Sequence, residues 1–186
     1  LRMGQARNPG DPHGQILAAM PPEAENGHDP DTSGEVWNIC WVRDMAYAQQ
    51  GLILSGHTNE SKAGLEFVLR NGTNPSKINV QQDFRTIMKN AHPEGKNPGN
   101  HIISVTRYFG NGVEETDDYF GNGPNIEWDD FGLFLWAFSE YKDKTGRVDL
   151  DSYVTALNTG AADVLVNMLQ SDGLLMADSS IWERHW

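Results

Sequence analysis

The chain has 186 residues, of which 38% are hydrophobic and 22% charged, the composition of a globular domain with its own core. Its 26 acidic residues outnumber its 14 lysines and arginines, giving a formal net charge of -12, so the clustered cations that a nucleic-acid partner requires are missing. No apolar run reaches the roughly 18 residues of a membrane-spanning helix. The single cysteine, Cys40, excludes an internal disulfide and a cysteine-based metal site.

The first part of the chain predicts a long loop followed by two helices. Proline and glycine occur too often in residues 8–38 for regular structure, and a long loop in a compact domain is usually functional. Apolar residues recur at helical spacing in residues 44–54, where Gly56 follows as a stop. The same spacing predicts a second helix over residues 61–69.

The second part of the chain predicts a small β-hairpin and two long helices. Residues 101–109 are β-branched and aromatic and are followed by Gly110-Asn111-Gly112, which predicts a small β-hairpin. Residues 129–141 are apolar on nearly all sides, which indicates a helix buried on more than one face. The longest helix is predicted over residues 151–170, with Asp149 or Asp151 as its N-cap.

Three segments combine tryptophan with charged residues at helix or loop boundaries. In the first, Trp41-Val42-Arg43-Asp44, an aromatic face beside a planar guanidinium and a carboxylate is typical of a sugar-binding subsite. An equally good interpretation is that Asp44 caps a helix and Arg43 is solvated.

The second and third segments place acids next to tryptophans. In Glu127-Trp128-Asp129-Asp130, the acids complement the dipole of the helix that follows, but this does not account for Trp128. In Ile181-Trp182-Glu183, apolar rings would raise the pKa of Glu183 and suit it to act as a general acid, whereas the simpler alternative is a surface glutamate.

No metal or cofactor is predicted. The six histidines have no zinc-site spacing, and Asp29-Pro30-Asp31 lacks the full calcium-loop pattern and is better explained as a turn. No phosphate-binding glycine motif is present in the sequence.

Taken in order, the segments resemble the glucoamylase family of inverting glycoside hydrolases. Residues 14–19 are similar to the family's first loop, residues 41–44 to its W-x-R-D, residues 127–132 to its Q-x-D-x-x-G with Glu127 in place of glutamine, and residues 181–183 to its I/L-W-E. The resemblance implies an all-α fold, an (α/α)6 toroid of six helical hairpins with a small β-hairpin excursion. Residues 1–186 would be the N-terminal half of this single catalytic domain.

The same resemblance implies a hydrolase that releases glucose, with inversion, from the non-reducing ends of α-glucans or α-gluco-oligosaccharides. Glu183 would be the general acid, and the substrate-binding residues would be Trp41, Arg43, Asp44, Trp128, Asp129 and Trp182. Inversion also needs a general base about 6.5–9.5 Å from the acid, and no residue here matches the family's base. We therefore expect a second chain or segment to complete the barrel, and an extracellular or periplasmic location because the substrates are polymeric.

Two alternatives remain open at this stage. The first is a noncatalytic carbohydrate-binding or regulatory domain of the same fold. The second is a structural helical interaction module in which the tryptophans are core or interface anchors. A second carboxylate across the pocket from Glu183 would distinguish the enzyme from the first alternative, and failure of sugars to quench tryptophan fluorescence would favour the second.

Overall fold

A computed structural model describes residues 5, 13–17, 39–70, 107–109 and 127–175, which are mostly helical. The elements are β1 (Ile39–Trp41), α1 (Val42–Leu54), α2 (Thr58–Arg70), β2 (Arg107–Phe109) and α3 (Trp128–Thr145), followed by a 3-10 turn (Asp151–Tyr153), α4 (Val154–Leu157), a π-helical turn (Asn158–Ala162) and α5 (Asp163–Asn167). The predicted helical character is thus confirmed, whereas the six-hairpin toroid stays a prediction. None of the helices in these ranges is long and apolar enough to cross a membrane.

The core of the described residues lies where α1 packs against α3 and α2. Residues 55–57 connect α1 to α2, with Gly56 at a φ of 79°. Such a short connection lets α2 fold back on α1 as a helical hairpin. Helix α1 begins earlier than predicted, because its N-cap is Trp41, in extended conformation. Asp44 therefore lies inside the first turn, and the interpretation of Asp44 as the N-cap is wrong.

A short antiparallel ladder fixes the chain just before α1. Cys40 of β1 lies opposite Tyr108 of β2, and Trp41 lies opposite Arg107. The strand predicted within residues 101–109 is confirmed at Arg107–Phe109, but its partner in the described residues is distant β1. The turn of the predicted hairpin, Gly110-Asn111-Gly112, lies outside the described residues.

The last predicted helix is divided. A π-helical turn separates α4 from α5, and the small buried residues Gly160 and Ala161 lie in this turn, which packs against α3. The wider turn therefore coincides with a contact between helices. Neither predicted N-cap is used: Leu150 precedes the 3-10 turn, and the Asp149 carboxylate instead accepts hydrogen bonds from Tyr141 and Arg147.

Residues 13–17, which include part of the segment that resembles the family's first loop, lie against α2. The Gln5 side-chain amide donates to the carbonyl oxygens of Gly14 and Glu60, at 3.1 and 2.7 Å. Gly14 has a φ of 94°, and a side chain there would overlap the carbonyl oxygen of Ala63 in α2. The close approach of the loop to α2 thus requires glycine at position 14.

Candidate functional site

The first turns of α1 and α3 meet through a planar ion pair. Arg43 is the second residue of α1, and Asp129 is the second residue of α3. Arg43 Nε donates to Asp129 Oδ2 at 2.7 Å, and Arg43 Nη2 donates to Oδ1 at 3.2 Å. Two parallel hydrogen bonds fix the orientation of both groups, so this pair aligns the two helix starts.

Glu127 holds the same guanidinium from a second direction. It is the N-cap of α3, in extended conformation, and its side chain is only 2% exposed. Its Oε2 forms an ion pair with Arg43 Nη2. An amide at this position, as in the resembled family, would carry no charge, whereas the Glu127 carboxylate attracts the cation electrostatically. Arg43 is therefore held by two carboxylates.

Asp130 completes the group from inside the protein. It is fully buried, and neither carboxylate oxygen accepts a well-formed hydrogen bond from the described residues. Burial raises the pKa of Asp130 well above its usual range, and the charge of Asp129 adds to this effect. The charge and backbone N–H of Arg43 act in the opposite direction but do not outweigh them. The Asp130 carboxyl is thus short of positive charge and of donors.

The site as a whole is strongly acidic. One oxygen from each of Glu127, Asp129 and Asp130 lies within 4.8 Å of the others. Asp44, exposed on the first turn of α1, adds a further negative charge close enough to raise the pKa values of Arg43 and Asp130. Burial alone would lower the pKa of Arg43, but the Asp129 hydrogen bonds and the surrounding acids raise it, so the guanidinium stays charged.

The predicted aromatic residues occupy different environments. Trp41 is half-buried at the end of β1, two residues before Arg43. Trp128 is only 2% exposed and packs against Phe131, with ring centroids 5.8 Å apart. A ring with so little exposed surface supports the site from behind, and its faces are not open to a ligand in the way the sequence analysis expected. The open side is formed by Asp129, whose side chain is 47% exposed, and by Asp44.

Of the predicted site residues, the structure brings Trp41, Arg43, Asp44, Trp128 and Asp129 to adjoining helix starts, whereas Trp182 and Glu183 lie outside the described residues. Glu127 and Asp130 are not among the site residues predicted from the sequence. Asp130 nevertheless carries a signal in the sequence, because it falls on the same helix face as Phe134, Ala137 and Tyr141 at positions i, i+4, i+7 and i+11. An acid on an apolar face indicates a buried charge that needs a partner.

This arrangement can bind polar ligands at its rim. Exposed carboxylate oxygens of Asp44 and Asp129 can accept hydrogen bonds from hydroxyls, while Arg43, 22% exposed, keeps the Asp129 carboxylate in place.

No family model matches the chain, and neither the search of curated proteins nor that of solved structures found a match.

Proposed function

We propose that this chain forms the sugar-binding side of a glycoside hydrolase that releases glucose, with inversion, from the non-reducing ends of α-glucans or α-gluco-oligosaccharides. The observation that supports it is the Arg43–Asp129 ion pair, which joins two of the tryptophan-containing segments across 86 residues of sequence. Rigid carboxylates beside an aromatic residue suit the recognition of a terminal sugar, because its hydroxyls need fixed acceptors and its C–H face needs a ring.

Within this proposal the residues have distinct roles. Asp44 and Asp129 accept hydrogen bonds from sugar hydroxyls, Arg43 fixes Asp129, and Trp41 offers an aromatic surface. Glu183, flanked by Trp182, acts as the general acid that protonates the departing glycosidic oxygen. Trp128 supports the start of α3 from the core. The general base is a carboxylate that lies outside this chain.

The decisive experiment is glucose release from maltose and from isomaltose by the wild-type protein and by Glu183→Gln. We expect the variant to lose about 10²–10⁴-fold in kcat, the range that a positioned general acid contributes. Proton NMR of the first product should show the β-anomer, because an α-linkage is cleaved with inversion. Intact mass of the native protein, recorded alongside, would detect a companion chain.

A second variant tests the binding side. Arg43→Lys keeps the positive charge but loses the two-point geometry, so KM should rise about tenfold or more. Arg147→Lys is the matched control, because Arg147 forms a comparable pair with Asp149 near the other end of α3. If the native protein, together with any companion chain that its mass reveals, releases no glucose, the catalytic proposal is overturned. Sugar-dependent quenching of tryptophan fluorescence would then indicate a carbohydrate-binding domain, and its absence a structural module.

A further inference from the structure

The acidic site has more negative charge than its surroundings compensate. Asp44, Glu127, Asp129 and Asp130 are four carboxylates around one guanidinium, that of Arg43. The N-termini of α1 and α3 each contribute about half a positive charge. If all the carboxylates are ionised, about two negative charges remain uncompensated, and part of this excess lies in the protein interior, where an unpaired charge is costly.

The uncompensated negative charge is centred on Asp130. The Arg43 side chain is hydrogen-bonded to Asp129 and ion-paired with Glu127. Fully buried Asp130 has only the backbone N–H of Arg43 as a nearby donor, and neither of its oxygens accepts a well-formed hydrogen bond within the described ranges. An oxygen of Asp130 nevertheless lies within 4.8 Å of carboxylate oxygens of Glu127 and Asp129. The Asp130 carboxyl therefore lies beside two other carboxylates that could share one cation with it.

We propose that Glu127, Asp129 and Asp130 bind one divalent cation, Ca²⁺, at the start of α3. A charge of two matches the deficit, and carboxylate oxygens are the ligands that hard cations prefer. Zinc and other softer metals are disfavoured because the group holds neither histidine nor thiolate. Ca²⁺ suits the site better than Mg²⁺, because it tolerates irregular geometry and a mixture of buried and exposed ligands. Half-exposed Asp129 leaves room for water to complete the coordination.

The sequence predicts no metal, because it lacks the histidine spacing of a zinc site and the full calcium-loop pattern, whereas these ligands come together at a helix start. The assignment of Ca²⁺ does not depend on the proposed hydrolase activity. A cation held by these residues would brace the first turn of α3, and so the position of Asp129, whatever ligand the rim binds.

The test is calorimetric titration of CaCl2 into the purified protein after removal of metals with EDTA. We expect saturable binding of one ion per chain. Asp130→Asn, which keeps the shape of the side chain, should weaken the affinity at least tenfold, and Glu127→Gln should do the same. Asp143→Asn, on an exposed part of α3, is the matched control and should bind as the wild type does.

Thermal unfolding gives a second measurement. Ca²⁺ at about a hundredfold excess over the wild-type Kd should raise the Tm of the wild type and of Asp143→Asn by about 5–10 °C, and that of Asp130→Asn by about half as much or less. If a site variant fails to fold, tryptophan-sensitised Tb³⁺ luminescence of the wild type, competed by Ca²⁺, still reports the site.

The absence of saturable Ca²⁺ binding to the wild type would overturn the proposal, as would binding that survives both site substitutions. Tighter binding of MgCl2 than of CaCl2 would overturn the choice of cation. None of these outcomes involves glucose release, so failure of this proposal and failure of the proposed function are separately observable.

Discussion

Arg43 and Asp129 form a two-point ion pair, with Nε–Oδ2 at 2.7 Å and Nη2–Oδ1 at 3.2 Å, that connects the first turns of two core helices. The same guanidinium is paired with Glu127, whose side chain is 2% exposed. Arg43→Met would leave this buried carboxylate without its cation, and breaking a buried pair in this way costs about 3–5 kcal/mol. We expect the free energy of unfolding, measured in urea, to fall by about 3 kcal/mol.

Arg147→Met is the control for that prediction. Arg147 also forms a close ion pair, with Asp149 at 2.6 Å, but the two side chains are 34% and 28% exposed. Exposed pairs contribute about 1 kcal/mol or less because water and salt screen them. Equal losses in the two variants would contradict the view that the burial of Glu127 makes the Arg43 pair important.

Gly14→Ala should detach the loop at residues 13–17 from α2. The new methyl group would overlap the backbone oxygen of Ala63, and alanine at a φ of 94° adds a conformational cost of about 1–2 kcal/mol. With the packing strain of about 1–3 kcal/mol, we expect a total loss of about 3 kcal/mol in urea denaturation.

Gly56→Ala separates the two contributions to that loss. Gly56 has a similar positive φ of 79°, but a side chain there would meet nothing within 4 Å. This variant should lose only the conformational part, about 1 kcal/mol. If Gly14→Ala were no less stable than Gly56→Ala, the docking of the loop on α2 would be refuted.

Acid should weaken the protein partly through Asp149. Burial raises the pKa of this carboxyl, but hydrogen bonds from Arg147 and Tyr141 and the nearby Lys62 outweigh burial, so its pKa in the folded state lies below the usual value. A lowered pKa stabilises the folded state above the unfolded-state pKa of about 3.9, and this stabilisation is lost as the pH falls through the folded-state value.

The measurement compares wild type with Asp149→Asn across that range. At pH 7 the variant should have the lower urea midpoint, and the two midpoints should converge as the pH falls below about 4. Asp143→Asn, on the exposed face of α3, should show no such convergence. A constant difference between wild type and Asp149→Asn at all pH values would show that the lost contribution is not electrostatic.

The sequence predicted the long helices because their apolar residues recur at helical spacing, which reports local structure directly. It placed the start of α1 at Asp44, because an aspartate there resembles a cap. The structure starts the helix at Val42, since the ladder with β2 holds Trp41 extended up to that point. Pairing between β1 and β2 depends on residues far apart in the sequence, so no local pattern could predict it.

The site was only partly predictable, because local patterns mark its segments but tertiary packing decides how they meet. Tryptophans next to acids at helix starts marked both segments, but only tertiary packing decides that Arg43 reaches Asp129, or that Trp128 faces the core while Asp129 faces outward. Asp130 was assigned to the helix dipole, which its position in the first turn supports. Helical spacing also places Asp130 on the apolar face of α3, and this feature distinguishes it from the other acids of the first turn.

Cys40 provides a probe of the strand that precedes the site. Its thiol is fully buried and its S–H donates to Met45 Sδ at 3.4 Å. Burial raises the pKa of the Cys40 thiol, and the nearby carboxylates of Asp130 and Asp44 add to this effect, so the reactive thiolate is scarce in the folded state. We expect a disulfide reagent such as DTNB to modify the native protein at least about a hundredfold more slowly than the urea-unfolded protein, because reaction requires opening of the core.

Since the chain has one cysteine, the unfolded protein should release one equivalent of reporter thiolate, which calibrates the native trace. Rapid native labelling at neutral pH would mean that β1 separates readily from β2, and the start of α1 would then be too mobile to hold Arg43 against Asp129.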